Sequence, residues 1–101
     1  MKAKALRMSD RDNVATAISD LSIGEKVLVE DGKKMEITLL AAVQFGHKFA
    51  VRPIKKGDDI IKYGETIGRA TVDIAKGEHV HVHNIESLRG RGDISVAEAK
   101  Q

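Results

Sequence analysis

The chain has 101 residues, 42% of them hydrophobic and 32% charged, with a net charge of only +2 and acids and bases interleaved. That length bounds it to one domain, and with Phe45, Phe49 and Tyr63 as its only aromatic residues the core must be aliphatic. The balance argues against a nucleic-acid module, which would show a clustered basic face with stacking aromatics. The absence of cysteine excludes a disulfide framework and a Cys-type zinc site.

Residues 1–7 carry basic side chains but no apolar stretch behind them, so no signal peptide is expected. No apolar run approaches the roughly 20 residues of a membrane span. A soluble, cytoplasmic protein is the expectation, in keeping with a chain that lacks cysteine. Residues 3–8 could form a first strand, and Ser9-Asp10-Arg11-Asp12-Asn13 is a turn cluster. Two continuations are open after it. Ser9 and Asp12 could loosely cap a helix through Val14, Ala15 and Ile18, or the β-branched run 14–18 could be a strand.

An internal repeat decides for the strand. Segments 17–27, 50–60 and 70–80 align without gaps: an alanine (Ala17, Ala50, Ala70), an aliphatic residue four on (Leu21, Ile54, Ile74), a glycine three later (Gly24, Gly57, Gly77), then an acid (Glu25, Asp58, Glu78) and an aliphatic residue two beyond. The aliphatic residue should bury, the glycine should supply a positive φ, and the acid should stay in solvent. The offsets, 33 residues (17 to 50) and 20 (50 to 70), are unequal, so this is no fixed-period solenoid. The expected fold is a closed all-β body that reuses one turn.

Around these turns, residues 26–30 alternate as a strand, Asp31-Gly32-Lys33 signals a hairpin, and residues 35–41 resume a strand with Ile37, Leu39 and Leu40 as core. Val43-Gln44-Phe45-Gly46 reads as a tight connection, conceivably one helical turn. Residues 60–64 run from strand into turn. The domain is expected to occupy residues 1–92, with 93–101 a flexible tail. Arg91-Gly92-Asp93 is taken as a coincidental match to a cell-adhesion tripeptide.

The chemistry concentrates near the end of the last repeat. His79-Val80-His81-Val82-His83 alternates strictly. As a strand it would turn the histidines to one face and both valines to the core. Imidazoles two apart, roughly 7 Å by strand rise, could converge on a metal or serve acid–base chemistry. The competing reading is a solvated face on an edge strand. Lys62-Tyr63 could bind an anion, or could simply end a strand. His47-Lys48, after Gly46, adjoins another such turn.

Gly46-His47-Lys48, Ile54-x-x-Gly57, Ile61-Lys62-Tyr63-Gly64, Ile67-Gly68-x-Ala70 and Ile74-x-x-Gly77-Glu78-x-Val80-His81-Val82-His83-Asn84 follow one another in order. Together, over roughly residues 12–88, they resemble the SAF-type domain of altronate and galactarate dehydratases, which also exists as the separate small subunit of sulfolactate sulfo-lyase. The resemblance implies a β-clip, a small pseudo-barrel of short strands with at most short helical turns. It implies a lyase acting by β-elimination on sugar-acid or sulfo-acid substrates, with a divalent metal, iron(II), as cofactor. A short chain of this kind would be the small subunit, inactive without a large dehydratase-like partner, and possibly a homo-oligomer. In that setting His47 and His81 are the expected catalytic groups, and His81 and His83 the metal ligands. Lys48, Lys62, Tyr63 and Asn84 would hold substrate, and His79 is left outside the motif. The alternative function is a non-catalytic SAF module that binds carbohydrate or acts as a chaperone.

Overall fold

The computed structural model describes residues 2–30 and 34–87. The expected hairpin at 31–33 and the tail at 93–101 lie outside the described residues. Nine strands follow in order: β1 Ala5–Leu6, β2 Val14–Ala17, β3 Lys26–Glu30, β4 Lys34–Thr38, β5 Lys48–Ala50, β6 Asp59–Lys62, β7 Glu65–Ala70, β8 His79–Val80 and β9 Ile85–Ser87. They form a six-stranded sheet ordered β4-β3-β1-β2-β5-β8 and a three-stranded sheet ordered β6-β7-β9. No helix occurs among the described residues, so the all-β expectation holds and 14–17 is strand rather than helix.

The repeated turn is the building unit, and the structure contains a fourth copy. Segment 39–49 has the same conformation as 17–27, 50–60 and 70–80. The connection expected to be a lone helical turn is therefore another corner. Its glycine, Gly46, has φ +84, beside +82, +93 and +88 for Gly24, Gly57 and Gly77. The copy escapes the sequence pattern because Leu39 stands in the alanine column and His47 in the acid column.

The corners associate in two pairs. In the first, Leu21 and Val43 exchange backbone hydrogen bonds of 2.8 and 3.0 Å, and Gly24 N and Gly46 N donate to the Leu39 and Ala17 carbonyls. In the second, Ile54 and Ile74 exchange bonds of 2.8 and 2.7 Å, and Gly57 N and Gly77 N donate to the Ala70 and Ala50 carbonyls. Each corner thus satisfies the backbone groups that its partner exposes. The acids do not simply stay in solvent. Glu25, Asp58 and Glu78 fold back so that a carboxylate oxygen accepts from the amide three residues earlier, at Ser22, Lys55 and Ala75.

Each corner pair has its own apolar centre. Leu21, Val27, Val29, Ile37, Leu39, Val43 and Phe49 pack around the first, and Val14, Ile54, Ile60, Ile74 and Val80 around the second. Burying each such aliphatic side chain is worth about 1.5–3 kcal/mol. Phe49 is fully buried, while Phe45 and Tyr63 are exposed. Leu40, expected in the core, is 53% exposed. It is the second residue of the newly found corner, where the chain has already left the strand.

Candidate functional site

β5 begins immediately after the corner that ends at His47, and it pairs antiparallel with β8, setting Lys48 opposite Val80 and Phe49 opposite His79. This seam joins one corner of each pair. It carries His47 across to the last repeat. Because the acid column holds an imidazole here, the ring is free to face the next strand. His47 Nδ1 lies 3.0 Å from His79 Nε2. His47 and His81 stack with ring centroids 4.3 Å apart, and His79 lies 5.2 and 5.4 Å from these two.

The expected five-residue strand is cut short, and its alternation stops after Val80. Residues 81–84 turn instead. Asn84 is buried, accepts from His81 N, donates to the His79 carbonyl, and donates through its own amide to the His81 carbonyl. Its side chain is thus occupied in shaping the histidine turn and does not line the pocket. Val82, expected in the core, is 80% exposed. His83 is also exposed and reaches only His79, in a tilted contact at 5.4 Å. The turn therefore sorts the histidines differently from a straight strand. His47, His79 and His81 place one nitrogen each within 4.8 Å of one another, and His83 stays at the edge.

Next to this cluster is a pocket of about 320 Å³ lined by Lys48, Lys62, Tyr63, Ile67, His81, Val82, Ile85 and Ser87. Ile67, Ile85 and Val82 make it partly apolar, and two ammonium groups, a phenol and an imidazole supply its polar functions. His81 belongs to both the cluster and the pocket. Four of the residues expected to act on substrate, Lys48, Lys62, Tyr63 and His81, therefore meet in one cavity.

The site is electropositive and partly dry. Burial lowers the Lys48 pKa below the ordinary lysine value, and the nearby Lys62 charge adds to this. Burial is also the main cause that lowers His79, followed by the charges of His47, His83, His81 and Lys48. His81 is lowered by desolvation first, then by His47, Lys48 and His83. At neutral pH these two rings carry free lone pairs, as a metal ligand or a general base requires. The set of three imidazoles, with no carboxylate among them, suits borderline divalent ions such as iron or zinc. The residues present therefore fit the ion that the sequence resemblance implies.

Paired glycine corners thus form a β-clip scaffold that sets a histidine cluster beside a cation-lined pocket. Residues 3–88 match the family model for the altronate/galactarate dehydratase SAF domain, and the chain belongs to that family. It is 51% identical over 73 residues to altronate dehydratase of Escherichia coli, covering 72% of this chain and 14% of that protein. It is 40% identical over 63 residues to the alpha subunit of (2R)-sulfolactate sulfo-lyase of Paracoccus pantotrophus, covering 62% of this chain and 94% of that subunit. Galactarate dehydratase (L-threo-forming) of E. coli is 32% identical over 75 residues, covering 74% of this chain and 14% of that protein. The chain thus spans a small fraction of the dehydratases and nearly all of the alpha subunit. No helix among the described residues is long and apolar enough to cross a membrane.

Proposed function

We propose that this chain is the small subunit of a two-subunit carbon–oxygen or carbon–sulfur lyase and helps bind and β-eliminate hydroxylated sugar acids or sulfo-acids. The observation that carries the reading is the double membership of His81, which touches both the three-imidazole cluster and the pocket lined by Lys48, Lys62 and Tyr63. The relatives' names supply the substrate class, and the relative named as a subunit supplies the expectation of a larger dehydratase-like partner. Most of the catalytic apparatus would belong to that partner.

In this reading Lys48 and Lys62 bind the substrate's carboxylate or sulfonate, and charge-assisted bonds of this kind are the strong ones. Burial first, and then the Lys62 charge, lowers the Lys48 pKa, and an anion between the two ammonium groups relieves their repulsion. Tyr63 donates its phenol to a substrate hydroxyl at the mouth. Ile67, Val82 and Ile85 exclude water from that end of the pocket. His81, kept neutral by its surroundings, offers one lone pair, which serves to take a proton where no ion is bound and to hold the ion where one is, and His47, against His79, orients the cluster. A divalent ion held by His47, His79 and His81, iron(II) by family resemblance, would supply Lewis-acid polarisation of a leaving or enolic oxygen.

Titration calorimetry of the purified chain with galactarate, altronate and sulfolactate tests this. At least one should bind, and Lys48→Ala should weaken it about tenfold or more, as expected for loss of one charge-assisted contact. Divalent-ion binding should be lost in His79→Ala and His81→Ala and kept in His83→Ala. With the large subunit present, turnover should vanish in His81→Ala while the fold persists. Full turnover in that variant, or wild-type affinity in Lys48→Ala, would remove the assignment.

A further inference from the structure

The buried Asp12 has no part in the chemistry above. Its residue is 1% exposed, and its carboxylate is committed to the backbone. Oδ2 accepts from Met8 N at 3.2 Å and from Tyr63 N at 3.0 Å, and Oδ1 accepts from Gly64 N at 2.8 Å. Both amides of the two-residue loop joining β6 and β7 therefore end on one side chain. The neighbouring Asn13 binds the same hairpin one strand position back. Its Oδ1 accepts from Ile61 N at 2.8 Å, and its Nδ2 donates to the Asp59 carbonyl at 2.8 Å. Arg7 and Arg52 in turn donate to the Asp12 carbonyl.

The loop they hold is unusual. Tyr63 has φ +56 and Gly64 φ +75, the mirror-image turn that favours Asn-Gly or Gly-Gly. Among the described residues Tyr63 is the only non-glycine with positive φ. A tyrosine in the left-handed region is strained, and strain of this kind persists where the surroundings over-determine it and a function needs it. The strained residue and its neighbour Lys62 both line the pocket, while Asp12 lies outside the lining.

We infer that Asp12, assisted by Asn13, is a positioning residue that locks the Tyr63-Gly64 turn in its left-handed form and so fixes the Lys62 ammonium and the Tyr63 phenol in the pocket they line with Lys48 and His81. The inference rests on the small-acid reading of that pocket. Its ligand class is the same, a hydroxy-acid anion whose carboxylate meets Lys62 and whose hydroxyl meets Tyr63. The carboxylate acts as a template. It accepts from both loop amides, which fixes the backbone of the turn, so the Lys62 and Tyr63 side chains arrive at the pocket already placed.

The test uses the purified chain and galactarate. Tyr63 is the single tyrosine and there is no tryptophan, so its fluorescence reports this turn alone. Asp12→Asn keeps the shape but replaces one acceptor oxygen by an amide. It should lower the anisotropy of Tyr63 and weaken galactarate about tenfold, the scale of losing one well-placed contact. Divalent-ion affinity at the histidine cluster should stay within about twofold, which a general loss of structure would not allow. Unchanged galactarate affinity in a folded Asp12→Asn chain overturns the inference. A parallel measurement needs no variant. In the wild-type chain the Tyr63 and Gly64 amides should exchange slowly with solvent, and Tyr63 should show the strong intraresidue HN–Hα NOE of positive φ before and after galactarate is added. Fast exchange or a weak intraresidue NOE overturns the inference even where Asp12→Asn fails to fold. Slow exchange with no binding of galactarate, altronate or sulfolactate would instead leave the template in place and defeat the small-acid reading.

Discussion

The corner glycines offer a controlled comparison, because two of them share a backbone conformation and differ in surroundings. Gly24 and Gly77 have φ +82 and +88. A Cβ built at Gly24 meets nothing within 4 Å, whereas one at Gly77 would overlap the Thr38 carbonyl oxygen and sit 3.5 Å from Leu39 Cα. That obstruction is backbone and cannot swing aside. Leu40 N also donates to the Gly77 carbonyl, so the same contact ties the two corner pairs together. Gly24→Ala should therefore cost only the left-handed strain, about 1–2 kcal/mol. Gly77→Ala should cost that strain plus an overpacking penalty of about 1–3 kcal/mol. In a domain of this size each kcal/mol moves the melting temperature by roughly 4–8 °C. Thermal melts followed by circular dichroism should place Gly77→Ala well below Gly24→Ala. Gly77→Ala should also weaken divalent-ion binding, since His79 lies two residues on. Equal melting temperatures for the two variants would refute the claim that close approach, rather than φ alone, demands glycine at 77.

Tyr63→Asn should put the preferred residue into the mirror-image turn. It relieves about 1 kcal/mol of strain and forfeits an exposed Lys62–Tyr63 cation–π contact at 5.1 Å worth about 0.5–1 kcal/mol. The melting temperature should hold or rise slightly while galactarate binding falls, and a clear drop in melting temperature would contradict the strain argument. In the metal-free chain His79 and His81 have folded pKa values below the unfolded value near 6.5. Above that value neither state binds the protons. As pH falls beneath it, the unfolded chain binds them first and stability is lost, until the folded rings protonate too. Urea melts from pH 7.5 to 5, a range of about 2.5 pH units around the histidine value, should show this decline, and His79→Ala should flatten it. Lys62→Ala should raise the Lys48 pKa part of the way towards its ordinary value, because burial remains the larger cause. An NMR titration of the Lys48 ε-carbon would detect this, and no change would mean that the two ammonium groups do not sense each other.

Much of the architecture was legible because the corner leaves a dense sequence mark. An aliphatic residue and a glycine at fixed offsets signal burial and positive φ in one short run, whereas the acid, expected to stay in solvent, caps its own turn. Leu21, Ile54 and Ile74 bury as that pattern requires. The copy at 39–49 was missed for a chemical reason, since His47 stands where the other copies carry the capping acid. Leu39, His47 and Phe49 all depart from the pattern, so only Val43 and Gly46, at the right spacing, carry its mark in the sequence. The alternation at 79–83 misled because period-two spacing says nothing about where a strand ends. Asn84, three residues after His81, supplies the turn-forming side chain that halts it. Asp12 was read as part of a possible helix cap, but two of the three amides its carboxylate holds lie 51 and 52 residues away. No local rule reaches that far.

Pairing between corners also governs how the polypeptide must reach this shape. A single corner made alone would leave its glycine amide and its opening carbonyl bare, for each finds its mate 13 to 29 residues off. With no helix among the described residues to form early and most contacts spanning distant positions, assembly should be all-or-none and comparatively slow. Excised halves should then stay unfolded in isolation. For the same reason, the imidazole triplet cannot exist in any partly built intermediate, since one member arrives from the first corner pair and two from the second.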